Sequence, residues 1–284
     1  MASGMTPIAL LRSASLALLA LAPACATPRG AALRALEKGD VTTARAELEQ
    51  EARSGDSEAQ YLYALSFDGG FGDDPAMAAE WYRRAAEQGH AAAQSNLGLL
   101  AYQGRGVRRS YDEAARWFTL AEAQGLAPAR TNLGVCHLYG HGVTQDHARA
   151  RELLALAAGA GEVRAQGVLG SIHYEGFGVE CDYREAAHWY RMAAARGLGT
   201  AQHRLGLILV NGLAGAPDER AGLRWLTRAA EQGLPSAQYD LALLHLQGRG
   251  VVADRATGLA WLERAAEQDF TPAQAKLALA RGGA

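Results

Sequence analysis

Three histidines, His137, His173 and His245, occupy one position of a pattern that recurs every 36 residues. Repeated imidazoles are the ligand type a zinc site needs. Geometry works against such a site. Successive stacked helices lie about 8 to 10 Å apart, whereas zinc ligands converge to about 2 Å from one ion. His137 and His141 are four residues apart, but Gly140 interrupts the helix between them and no third ligand accompanies them. The glycine pairs Gly104/Gly106, Gly140/Gly142, Gly176/Gly178 and Gly248/Gly250 have the composition of a phosphate loop. No Gly-Lys-Ser/Thr follows them and no strand pattern precedes them, so they read as tight helix-helix turns that need positive φ. The chain has no His-Glu-x-x-His, no Gly-x-Ser-x-Gly and no Cys-x-x-Cys, which leaves metal, nucleophilic and redox chemistry without their usual residue sets. The expectation is a chain with no catalytic, metal or cofactor residues.

The elements that would carry any site are repetitive. The pair Ala-Gln stands at Ala59-Gln60, Ala93-Gln94, Ala165-Gln166, Ala201-Gln202, Ala237-Gln238 and Ala273-Gln274, with Ala129-Arg130 as the variant; the spacing is 36 residues after a first step of 34. A fixed period of this size means stacked repeats, not one globular core. Each unit reads as helix A, a glycine turn, helix B and a glycine stop, with helix A of the second full unit near 93–103 and helix B near 111–124. Asp40, Asp74, Ser110, Asp146, Asp182, Asp218 and Asp254 precede the B helices as N-caps. Ser110 with Glu113, and Asp182 with Glu185, have the spacing of a reciprocal capping box. Gly55, Gly89, Gly125, Gly161, Gly197 and Gly233 close the B helices, and Asp269 replaces glycine in the last unit. Gly98, Gly134, Gly170 and Gly206 keep helix A narrow where it meets helix B, whose facing column is Ala78, Ala114, Ala150, Ala186, Gly222 and Gly258. Trp81, Trp117, Trp189, Trp225 and Trp261 share one column, filled by Leu153 in the third unit, and read as packing between helices.

Composition excludes some partners. The chain of 284 residues is 49% apolar and 20% charged, with net charge -2. It has no basic run or stripe, which argues against a nucleic-acid partner. Residues 1–24 combine Arg12 with an apolar run from Ser13 to Ala24, the pattern of a secretory signal and too short for a membrane span. Two cleavage routes are open: Ala22-Pro23-Ala24 fits an ordinary peptidase site, and Leu21-Ala22-Pro23-Ala24-Cys25 resembles a bacterial lipobox in which Cys25 is acylated, although Ala22 stands where an aliphatic residue is usual. The resemblance implies an outer-membrane lipoprotein, because Ala26 and not Asp follows Cys25. Cys136 falls in a column with Leu100, Ile172, Ile208 and Leu244 and should be buried; Cys181 precedes a helix start and should be near solvent.

The runs Leu97-Gly98, Gly104-Arg105-Gly106-Val107 and Tyr111-Asp112-Glu113-Ala114-Ala115-Arg116-Trp117-Phe118, repeated in register from unit to unit, resemble the Sel1-like repeat, a relative of the tetratricopeptide repeat. The resemblance implies an all-α, right-handed α-solenoid of stacked helix-turn-helix repeats that scaffolds protein complexes. The expected layout is a signal at 1–24, a linker at 25–30 and a repeat array at 31–284, comprising a partial repeat (31–56), six full repeats (57–270) and a capping helix (271–284). Carrying over the related repeat's concave A-helix face implies a groove for an unidentified protein partner, lined by Ser95, Leu99, Tyr102, Thr131, Val135, Leu138, Ser171, Tyr174, His203, Leu207, Tyr239 and Leu243. On this reading alanine at Tyr102 and Tyr174 weakens capture without unfolding the array. The implied setting is the bacterial envelope, periplasmic or outer-membrane anchored, with secretion as the alternative and no transmembrane helix in the mature chain. A second reading follows from relatives described as β-lactamase-like or penicillin-binding. Those rest on paired cysteines in each repeat, which this chain lacks, and on Ser-x-x-Lys, where Ala35 and Ala273 stand three residues before the only lysines, Lys38 and Lys276. A purely structural lipoprotein joining envelope layers is a third.

Overall fold

The computed structural model describes residues 28–69 and 74–282, and among these there are fifteen α-helices and no strand. The expected signal at 1–24 and Cys25 lie outside the described residues. The chain divides into two compact units, Met1–Glu162 and Val163–Ala284. In the first, the helices are α1 (Pro28–Glu37), α2 (Val41–Arg53), α3 (Ser57–Leu65), α4 (Pro75–Glu87), α5 (Ala91–Gln103), α6 (Tyr111–Ala123), α7 (Ala127–Tyr139) and α8 (His147–Gly159). The second holds α9 (Val163–Glu175), α10 (Tyr183–Ala195), α11 (Gly199–Asn211), α12 (Glu219–Glu231), α13 (Pro235–Gln247), α14 (Arg255–Ala266) and α15 (Thr271–Gly282). Within each unit consecutive helices pack pairwise in a row, the arrangement of a helical solenoid. Helix α1 starts at Pro28, inside the stretch expected as linker; proline suits a first helical turn because its missing N–H is unneeded there.

The punctuation read from the sequence is built as expected. Side chains of Asp40, Asp74, Ser110, Asp146, Asp182, Asp218 and Asp254 each accept a hydrogen bond from a backbone N–H in the first turn of a B helix. The capping box forms only its forward half. Glu113 N–H donates to Ser110 Oγ at 3.2 Å, but the Glu113 carboxylate accepts from Arg83 and Trp117 instead of returning to Ser110. Ser110 N–H is already bonded to Ala101 O at 2.9 Å, and Asp146, Asp182, Asp218 and Asp254 make the same 2.9 Å bond to His137, His173, Leu209 and His245. The preceding A helix therefore anchors each B-helix start, leaving the acidic residue free for other partners.

The closing glycines have positive φ, and Asp269, which replaces one, is the positive-φ non-glycine residue at 59°. In the turns, the second glycine is forced by contact as well as by dihedral. A Cβ on Gly106 would stand 2.1 Å from Pro75 O, and one on Gly142 would stand 2.0 Å from Tyr111 O. Both of these turns thus seat on the first residue of the preceding repeat's B helix. The narrow columns also hold, since a Cβ on Gly98, Gly170 or Gly206 would lie 2.8 Å from Phe118, 2.6 Å from Tyr190 or 2.7 Å from Leu226.

The glutamines that mark the period join one repeat to the next. Gln94 Nε2 donates to Ala86 O at 3.1 Å, and Gln94 Oε1 accepts from Gln124 Nε2 at 2.8 Å. Gln60 with Gln88, Gln202 with Gln232 and Gln238 with Gln268 repeat the 2.8 Å amide pair. Buried amides need both groups satisfied, which explains a polar side chain in a buried column. The third repeat departs from this pattern: Arg130 pairs with Glu122 at 3.0 Å, and Ala160 stands where the terminal glutamine would be.

Tryptophan is less enclosed than the sequence suggested. Trp81 is buried, but Trp117, Trp189, Trp225 and Trp261 are half-buried. The guanidinium groups of Arg84, Arg228 and Arg264 lie over Trp81, Trp225 and Trp261, 4.3 to 4.7 Å from the ring centroid.

Candidate functional site

The A-helix face differs between the two units. In Met1–Glu162, Ser95, Leu99, Tyr102, Thr131, Val135 and Leu138 are all at most 4% exposed. Tyr102 is enclosed by the next turn: its hydroxyl bonds His141 Nδ1 at 2.6 Å, and the His141 ring stacks on Tyr111 at 4.3 Å. Burial pushes the Tyr102 hydroxyl above the ordinary tyrosine range and holds His141 below the usual imidazole value. Polar groups here face one another. Asn96 donates to Tyr82 Oη at 3.1 Å, Tyr82 donates to the Asp68 carboxylate at 3.3 Å, and Arg105 reaches the same carboxylate at 3.1 Å. Thr131 donates to Glu162 at 2.9 Å.

The second unit leaves the corresponding face half open. Ser171 is buried, bonded to Tyr190 Oη at 3.0 Å, while Tyr174, His203, Leu207, Tyr239 and Leu243 are half-buried. A polar seam crosses α9, α11 and α13 among them. Arg204 lies over the Tyr174 ring at 5.0 Å and approaches Glu175 at 3.7 Å. His203 Nε2 meets Asp240 Oδ2 at 2.6 Å, with Ser236 Oγ 3.5 Å from His203 Nδ1. Serine, histidine and carboxylate in series are the parts of an acyl-transfer centre. Here the 3.5 Å contact exceeds the 2.5 to 3.0 Å expected of a short hydroxyl bond, so the arrangement fixes the imidazole more than it activates the hydroxyl. Tyr239 packs against Phe270 at 5.7 Å and ends the row. Sequence reasoning missed Glu175, Arg204, Ser236 and Asp240; the available signal was opposite charge carried on neighbouring A helices.

The histidine column does not gather. His137 Nδ1 meets Thr144 O at 3.3 Å while His141 serves Tyr102, and the described residues contain no group of three potential metal ligands. Cys136 is buried and free, its thiol pushed up to about 12 by burial; Cys181 is exposed and free. No described helix is long and apolar enough to cross a membrane.

Six consecutive segments, 57–90, 91–126, 127–162, 163–198, 199–234 and 235–270, match the Sel1 repeat model. The chain belongs to the Sel1 repeat family. A crystal structure of a protective antigen from uropathogenic Escherichia coli strains, displaying an SLR fold, is 33% identical with a TM-score of 0.69, over 82% of this chain and 50% of that one. This Sel1 protein thus spans half the length of that relative. A Sel1 repeat protein from Oxalobacter formigenes is 28% identical with a TM-score of 0.76, over 84% of this chain and 98% of that one. No curated protein matches the sequence. Sel1-repeat proteins generally mediate protein-protein interaction, and the family is typically a non-catalytic scaffold.

Proposed function

We propose that this Sel1 protein is a non-catalytic adaptor of the bacterial cell envelope, holding a segment of a protein partner on the A-helix face of its second unit. The observation that carries this reading is the half-open row Tyr174, His203, Leu207, Tyr239 and Leu243. Apolar and aromatic groups there supply contact area, while the Arg204–Glu175 and His203–Asp240 pairs supply fixed polar partners. Such a face suits a helix or an extended segment. Ser95, Leu99, Tyr102, Thr131, Val135 and Leu138 of the first unit and Ser171 of the second are buried and lie outside the proposed contact surface. Export by a signal at residues 1–24 and anchoring through acylated Cys25 complete the reading.

Affinity capture from the bacterial envelope tests it, comparing the mature chain with a Tyr174→Ala, Leu207→Asp variant that melts normally. Loss of the same captured protein supports the face as the binding surface, and unchanged capture removes it. A Cys25→Ser variant that still partitions with membranes removes the lipid anchor.

A further inference from the structure

Two donors that hold a carboxylate between B helices of the first unit recur in the second without the acidic residue. In the first unit, Glu113 of α6 accepts from Arg83 of α4 at 3.2 Å, and Trp117 Nε1 lies 3.4 Å from the same oxygen. A guanidinium from one B helix and an indole N–H from the next thus close on one anion. Three periods of 36 residues later stand Arg191 of α10, with Ala221 and Trp225 of α12. The register is the same, since Trp117 packs on a cluster that includes α4 and α5, and Trp225 on one built from α10 and α11. Alanine therefore stands where Glu113 does, between the same two donors. The other B-helix pair of this unit, α12 with α14, has Thr227 and Thr257 at these places.

The donors serve nothing else within the unit. Neither the Arg191 guanidinium nor the Trp225 indole N–H has a hydrogen-bond acceptor among the described residues. Arg191 is exposed and Trp225 half-buried, with the Arg228 guanidinium 4.7 Å from its ring centroid. The surroundings are cationic. Contrary to the expectation of no basic stripe, Arg220, Arg224 and Arg228 stand one turn apart along α12, all exposed, and Arg184 is exposed on α10. The acids on these two helices are Glu185 and Glu231, both exposed, and Glu219, which Arg249 takes at 2.8 Å.

We infer that the groove between α10 and α12 binds an acidic helical segment of a partner protein, one carboxylate of which stands between Arg191 and the Trp225 N–H as Glu113 stands between Arg83 and Trp117. The first unit shows which anion this pair of donors takes, a carboxylate carried on a helix. Acids at every fourth position of a helix lie about 6 Å apart along its axis, the step at which Arg220, Arg224 and Arg228 climb α12. The surface lies on the B helices, and the inference does not depend on the A-helix face.

The experiment titrates the full chain, in low salt, with a dye-labelled peptide of repeated Glu-Ala-Ala-Ala blocks and blocked ends, and reads fluorescence anisotropy. Saturable binding is expected, at least tenfold weaker for the Gln-Ala-Ala-Ala peptide and for Arg191→Gln. Trp225→Phe, which keeps a ring and loses the N–H, should weaken it several-fold. Ala221→Glu supplies the carboxylate from α12 itself and should abolish binding with no fall in melting midpoint. Ala148→Glu adds the same charge at an exposed position of α8 and should leave binding unchanged. The Tyr174→Ala, Leu207→Asp variant should bind the peptide like the unaltered chain, so failure of the A-helix face and failure of this groove are told apart. Absence of saturable binding, equal binding of the glutamine peptide, or binding that survives Ala221→Glu overturns the inference. Tighter binding of vesicles rich in phosphatidylglycerol, or of an oligonucleotide, that Ala221→Glu abolishes would assign the groove to phosphate and overturn it as well.

Discussion

Tyr102 and Tyr174 hold the same place in two repeats and meet opposite fates. Tyr102 in the first unit is fully enclosed, while Tyr174 in the second is half-buried. The difference lies 39 residues downstream of each, at the turn that follows the next A helix. For Tyr102 that residue is His141, whose ring nitrogen bonds the hydroxyl at 2.6 Å. For Tyr174 it is Leu213, which is 39% exposed and places no ring or polar atom there. A repeat position thus takes its exposure from its neighbour's turn as much as from its own column. The same face serves as core in one unit and as accessible surface in the other.

The largest effect should come from treating the two tyrosines alike. Tyr102→Ala empties a packed site and should lower stability by about 3 to 5 kcal/mol, read as a depressed midpoint in urea. Tyr174→Ala should cost less than half as much and act chiefly on partner capture. Equal destabilisation by both would end the distinction; the enclosure of Tyr102 runs against the expectation that alanine there weakens capture without unfolding the array. Next comes Gly98→Ala: its Cβ would sit 2.8 Å from Phe118, and overpacking of this kind costs about 1 to 3 kcal/mol. Removing the amide link by Gln202→Ala takes its partner from the exposed Gln232 and one bond from the Ala194 carbonyl, which keeps the N–H of Gly197, a loss of about 0.5 to 1.5 kcal/mol. Arg130→Ala in the third repeat, where a partly exposed ion pair replaces that link, should cost about 0 to 1 kcal/mol. Leu213→His sharpens the comparison further. It should close the second unit's face over Tyr174, reducing capture several-fold with little change in melting temperature.

The smallest effect is one the two units should share. Hydrogen bonds from the first turn hold the carboxyls of Asp40, Asp146, Asp182 and Asp254 below their ordinary value of 3.8. A depressed folded-state value means the caps stabilise above that pH, and the contribution is lost as pH falls through the lower, folded-state values. Asp182→Ser should therefore leave stability at neutral pH nearly unchanged and flatten its fall below about pH 4, checked by urea midpoints across an acid series.

Much of this was legible in the residues. Aspartates before helices and glycines after them are local devices, so Asp40 through Asp254, and the break at Asp269, could be read without knowing what packs on what. Burial depth could not. The column Ser95, Thr131, His203, Tyr239 follows one period, yet its exposure depends on contacts from a different repeat. The glutamines were visible as a marker of period, and their bonding was not, because a side-chain amide bridging two helices leaves no trace in hydropathy. The half-made capping box has the same origin: Ser110 N–H finds Ala101 O, a partner nine residues back on another helix. Trp117 and Trp189 are open for a related reason, since a column of large rings says what is repeated and not how far the next helix covers it.

The seating of Gly106 on Pro75, Gly142 on Tyr111 and Gly250 on Glu219 joins each of these three turns to the repeat just before it. Unequal crossing-over between two such segments of the gene would give a chain one module longer or shorter with the junction still matched. Array length is then free to drift by whole modules, while the insertion of a single residue is penalised at once.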